Sequence, residues 1–111
     1  MDRYINLRII ASLERIRRKQ VDWLGEKLAA TPVWDIIYAL YRARSETSLD
    51  LLARDMGMTP EMVQRWLSIL EREAMVEGSS PRCYRLTGKG TDAVEDVLSV
   101  AYGSPEHELA C

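Results

Sequence analysis

A mainly α fold carrying one small β-hairpin is what the 111-residue sequence predicts, on three observations. Two amphipathic patterns, 47–56 and 59–75, are separated by Gly57 and a fresh cap, so they read as two helices around a tight turn. Directly after them, two short strand-like runs flank Gly78-Ser79-Ser80-Pro81, which is a hairpin signal. On either side, 2–30 and 87–102 repeat apolar residues at three- and four-residue steps, the period of a helix with one buried face.

Residues 2–30 hold no proline and a single glycine, Gly25, and are expected as one long helix. At about 1.5 Å per residue it would span roughly 40 Å, more than a core of this size can cover. A second protomer is expected to bury the surplus. The dimer interface then takes Ile5, Ile9, Leu13, Ile16 and Trp23, with Val97 and Leu98 from the last helix. Arg15, Arg17, Arg18 and Lys19 form a basic cluster on the same helix, which reads as phosphate contact or, preferably, as a solvated face.

Thr31-Pro32, a cap followed by a first-position proline, starts a helix to about Arg44. Its inward stripe is Val33, Ile36, Ile37, Leu40 and Tyr41; Trp34 and Tyr38 lie to one side and are read as core packing. Glu46 and Thr47 are expected to give a short strand paired with the hairpin.

Thr47 or Ser48 caps the next helix, with Asp50 in its first turn and Leu49, Leu52, Ala53 and Met56 inward. Gly57 stops it, because the residue past a helix end commonly adopts the left-handed conformation. Thr59-Pro60-Glu61 restarts the chain as cap, first helical position and first-turn acid. Val63, Trp66, Leu67 and Leu70 face inward with Met62 and Ile69 beside them, which leaves Glu61, Gln64, Arg65, Ser68 and Arg72 facing out. Two helices, a short turn with glycine and a capped second helix make a helix-turn-helix signature, and a hairpin following it is a wing. In the hairpin, Arg82 at the tip and Arg85 are expected on one face, with Cys83 half-buried opposite. Thr87 then caps a last helix to about Tyr102, apolar at Ala93, Val94, Val97, Leu98 and Ala101. Gly103-Ser104-Pro105 is expected to end order, leaving 104–111, with His107, as a flexible tail.

The run LARDMGMTPEMVQRWLSILEREAMVEG followed by YRLTGKG resembles the MarR-like winged helix-turn-helix transcriptional regulators over roughly residues 32–102. The resemblance implies a long N-terminal helix (1–30), a winged helix-turn-helix core (31–86) and a C-terminal helix (87–103). Within the core it implies a recognition helix near 60–73 and a wing near 75–86. It implies a homodimer on double-stranded DNA, with the recognition helix in the major groove and the wing on the minor groove or phosphates. Met62-Val63-Gln64-Arg65 stands where the family's DNA-touching residues lie, so Gln64 and Arg65 carry over. Gln64 suits adenine, Arg65 guanine or a phosphate, and Glu61 the amino group of cytosine. Thr59, Ser68, Ser79 and Ser80 suit phosphates, and Arg82 and Arg85 suit phosphates or the minor groove. Family members accept small aromatic ligands near the junction where Trp34 and Tyr38 lie, so an effector of unknown identity is implied. The last helix is shorter than is usual in the family.

Composition narrows the alternatives. Hydrophobic residues at 47% and charged residues at 29% are globular proportions. No apolar run approaches the ~18 residues of a membrane span, and MDRYINLRIIASLERIRRKQ lacks a secretory core, so a cytoplasmic, nucleoid-associated protein is expected. Cys83 and Cys111 have no metal-ligand spacing, and Gly88-Lys89-Gly90 lacks the upstream spacing of a phosphate-binding loop. The single histidine and the absence of paired carboxylates off solvated faces argue against an enzyme, and no cofactor or metal is expected. The net charge of −2 weighs against nucleic acid. Its distribution is uneven: residues 1–30 carry seven Lys/Arg against four Asp/Glu, and residues 75–111 three against six. The competing expectation is therefore a winged helix that binds protein and no DNA.

Overall fold

Ser48 and Thr59 set the centre of the fold, since each turns the chain into a helix by accepting a backbone N–H on its hydroxyl. The computed structural model describes residues 2–102. They run α1 (Arg3–Leu24), α2 (Glu26–Ala29), α3 (Val33–Ala43), β1 (Thr47–Ser48), α4 (Leu49–Met56), α5 (Pro60–Arg72), β2 (Val76–Ser80), β3 (Cys83–Leu86) and α6 (Gly88–Tyr102). Ser48 accepts from the Leu51 amide at 3.1 Å and Thr59 from the Met62 amide at 3.2 Å. Gly57 closes α4 in the left-handed conformation and Pro60 opens α5. The helix-turn-helix is thus bounded by the residues expected to bound it.

The three strands form one antiparallel sheet in the order β1-β3-β2, Thr47 opposite Tyr84 and Val76 opposite Leu86. β1 lies one residue later than the Glu46-Thr47 expected. The hairpin turns through Pro81 and Arg82, and Arg82 has φ 64. That left-handed turn takes Arg82 out of the strand, and Arg85 is three positions on, an odd spacing that does not put two strand residues on one face. The two side chains find different partners, Arg82 on α4 and Arg85 on β2.

The long N-terminal helix is shorter than expected. It ends at Leu24, and Gly25 at φ 90 breaks it before the single turn of α2. A residue with a Cβ is strained at that angle, so the one glycine in the stretch is where the chain bends. α1 still lies along α6, antiparallel: Ser12 Oγ donates to the Ala101 carbonyl, Arg15 Nε to the Val100 carbonyl, and Trp23 Nε1 to Asp96 Oδ2 at 2.8 Å.

Core side chains come from every helix except α2 and from the sheet: Leu24, Ile36, Ile37, Leu40, Leu52, Val63, Leu67, Leu70, Met75, Tyr84, Val94 and Val97. Removing one of the larger ones costs about 2–5 kcal/mol, the price of a cavity. The start of α6 is held against the end of α5. Thr87 N–H donates to the Met75 carbonyl at 3.0 Å, Thr87 Oγ1 to the Ala74 carbonyl at 2.6 Å, and Lys89 Nζ to the Glu73 carbonyl at 3.0 Å. Gly90 sits so close beneath that a Cβ there would stand 2.2 Å from the Met75 oxygen.

Candidate nucleic-acid interface

α5 presents its first two turns to solvent because its inward stripe is narrow. Val63, Leu67 and Leu70 are fully buried, and Trp66 and Ile69 half-buried. Glu61, Arg65 and Arg72 are exposed. Arg65 makes no hydrogen bond or ion pair among the described residues, which leaves its guanidinium available. Met62 is 46% exposed, although the sequence placed it beside the buried stripe. It stands in the first turn, ahead of the point where the core covers that flank.

Two of the polar side chains expected to face outward are partly committed. Gln64 is half-buried, and its Nε2 donates to the hydroxyl of Tyr84 at 2.7 Å. Ser68 Oγ donates back to the Gln64 carbonyl at 2.9 Å, one turn earlier. Thr59 is exposed but serves as the cap. Thr59 accepts as a cap and keeps its O–H proton, whereas Ser68 has given its one proton to Gln64; of these only Gln64 is turned towards another element.

On the wing, the cations are answered by nearby acids. Arg82 Nη2 lies 2.5 Å from Asp50 Oδ1 at the start of α4, and the Arg82 carbonyl accepts the Leu49 amide at 2.7 Å. Arg85 Nε pairs with Glu77 Oε1 across the hairpin at 2.8 Å. Ser79 Oγ donates to the Glu46 carboxylate, while Ser80 is exposed. Asp50, Glu77 and Tyr84, the partners of Arg82, Arg85 and Gln64, are what sequence reasoning missed. Glu77 was legible, since cross-strand register puts it opposite Arg85; Asp50, 32 residues from its partner, was not.

The expected dimer residues divide in two. Ile5, Ile9 and Leu13 are exposed, as are Tyr4, Leu7 and Ile10, at 49 to 65%. Ile16, Trp23 and Leu98 pack on their own core, and Val97 is fully enclosed in it, with no surface left for a second protomer. The basic cluster is partly used as well: Lys19 pairs with Asp96 at 3.5 Å and Arg15 reaches α6, while Arg17 and Arg18 remain exposed.

Trp34 is buried, its ring 6.0 Å from that of Tyr38, and its Nε1 has no hydrogen-bond partner among the described residues. The Tyr38 hydroxyl accepts from Gln20 Nε2 at 2.7 Å. Two grooves, of about 820 and 780 Å³, lie elsewhere: one between α3, the wing and α6, the other along α1, and neither is lined by Trp34 or Tyr38. Among the described residues no group of His, Cys, Asp and Glu is placed to hold a metal, and no helix is long and apolar enough to cross a membrane. Cys83 is half-buried and unpaired. Cys111 and His107 lie outside the described residues.

A capped helix pair, a third helix behind it and a three-stranded antiparallel wing define a winged helix-turn-helix. Among solved structures the chain is similar to AbfR of Staphylococcus epidermidis, with a TM-score of 0.65 over 96% of this chain and 77% of that one. Identity is 15%, so the likeness is one of fold. No family model and no curated protein matches the sequence.

Proposed function

We propose that the chain is a DNA-binding transcriptional regulator acting as a homodimer, in the manner of MarR-like proteins. α5 enters the major groove and the wing lies on the minor groove or phosphates. The observation that carries this is the exposed start of α5 with Arg65 uncommitted, on a winged helix fold. Arg65 is placed to grip guanine bidentately, which is worth about 1–3 kcal/mol of discrimination. Thr59 and Ser80 offer hydroxyl protons to phosphates, Ser68 does so only by leaving the Gln64 carbonyl, and Glu61 selects against most bases except cytosine. The exposed Ile5, Ile9 and Leu13 on α1 give the second protomer its surface.

The pairing of Arg82 with Asp50 and of Arg85 with Glu77 favours a second reading, a winged helix that docks protein, because it lowers the positive potential of the wing. Fluorescence anisotropy against duplexes enriched from a random-sequence pool, repeated across salt, separates the two. A regulator gives selective binding that falls steeply with salt. Arg65→Ala then weakens the selected site by about tenfold or more, and Arg82→Ala weakens all duplexes alike. No duplex binding at low salt refutes the DNA reading.

A further inference from the structure

The amide of Gln64 is the polar group on α5 best suited to an adenine edge, and it is the one α5 does not present. Reading adenine takes both halves of a side-chain amide, an N–H to N7 and a carbonyl to the N6 amino group. Here the nitrogen is directed to the Tyr84 hydroxyl at 2.7 Å, and the residue is half-buried. Tyr84 is 8% exposed and lies in β3, the middle strand, so its hydroxyl needs a partner inside the protein. Turning Gln64 outward would strand that hydroxyl, which costs more than the bond itself is worth. Arg65 and Met62, one position on and two positions back, are left facing out.

The bond also spans two elements that share little else. Gln64 stands in the second turn of the recognition helix, and Tyr84 in the strand that carries both β1 and the outer arm of the wing. It ties α5 directly to the middle strand of the wing.

We infer that Gln64 is a positioning residue, which sets the wing against the recognition helix through Tyr84 and does not itself read a base. The inference rests on the DNA-binding reading above. Its test uses four variants of the full chain: Gln64→Leu, Tyr84→Phe, the two combined, and Gln64→Glu, whose carboxylate accepts from the Tyr84 hydroxyl. Each is titrated against the duplex enriched by the wild type and against a set with every base pair replaced in turn. Amide hydrogen exchange is followed over residues 76–86.

Gln64→Leu and Tyr84→Phe are expected to weaken binding by a similar factor, about three- to tenfold. The double variant should be no weaker than either, because both break one bond. Preference at every base pair should survive in all four. Wing exchange should quicken in Gln64→Leu and Tyr84→Phe and return towards the wild type in Gln64→Glu, even though its added charge lowers affinity for every duplex. Loss of preference at one A·T pair in Gln64→Leu, with Tyr84→Phe binding as the wild type does, would overturn the inference. Wing exchange that ignores the variants would overturn it too, whatever the chain binds. A wild type that binds no duplex removes the underlying DNA reading instead, an outcome distinct from both.

Discussion

Replacing Asp50 by asparagine should make the protein bind DNA more tightly while making it less stable. Asp50 does two things. It supplies negative charge to the first turn of α4, and it holds the Arg82 guanidinium at 2.5 Å. The first contribution is about 0.3–1 kcal/mol of stability, lost in the asparagine variant. The second is small for folding, because both side chains are well exposed, at 59 and 67%, and an ion pair in water nets about 0–1 kcal/mol. For binding, however, the same pair opposes the phosphate, since Arg82 must leave Asp50 to reach it. Removing the competitor should raise affinity by up to about fivefold per protomer, the equivalent of about 1 kcal/mol. The salt dependence should steepen by up to about 0.9 in slope per protomer, one further phosphate neutralised without an internal rival. Anisotropy titrations at four salt concentrations, with urea unfolding in parallel, measure both. Equal or weaker binding by Asp50→Asn at every salt would refute the reasoning, and Arg82→Ala should abolish the gain when combined with it.

Leu13→Glu, at an exposed position on α1, should halve the mass seen by sedimentation equilibrium and leave the helical signal intact; an unchanged mass would move the protomer contact off α1. Ala74 follows α5 in the left-handed conformation at φ 61, where a Cβ costs about 1–2 kcal/mol. Ala74→Gly should therefore stabilise the fold by about 1 kcal/mol in chemical denaturation. Burial pushes the Tyr38 hydroxyl above its usual 10.0, against the bond from Gln20, which lowers it, and with Asp35, which raises it. The unfolded chain then ionises first. The stability Tyr38 contributes is complete below about pH 10 and is lost as pH rises beyond. Denaturation midpoints taken on either side should show a steeper alkaline fall in the wild type than in Tyr38→Phe.

Local chemistry was legible in the sequence where a signal and its target lie within a turn of each other. Ser48 and Thr59 each cap an amide three residues on, Gly57 and Pro60 stop and start the two helices, and Thr87 accepts from Gly90. The inward stripe of α3 followed the same period, although Tyr41 at its end is exposed. What escaped reading depends on approach in space. Gln64 and Tyr84 are 20 residues apart and Arg82 and Asp50 are 32, so periodicity ranks Gln64 as outward-facing and says nothing of the partner that each side chain finds. Gly25 alone does not announce a break, because one glycine is tolerated inside many helices. Val97 was assigned to an interface because an apolar stripe does not declare whose chain covers it.

The joint between α5 and α6 has no slack. Three hydrogen bonds cross it, and Gly90 lies in contact with the Met75 backbone. Nothing larger fits there, so the start of α6 is held against the turn that leaves α5, and α6 is pinned along α1 by Ser12, Arg15, Lys19 and Trp23. The molecule measures 48 Å along its longest axis, so a small rotation at the free end of α1 is a lever acting on the opposite end. In the proposed dimer, the stride between the two reading helices would be set by how the α1 helices grip one another.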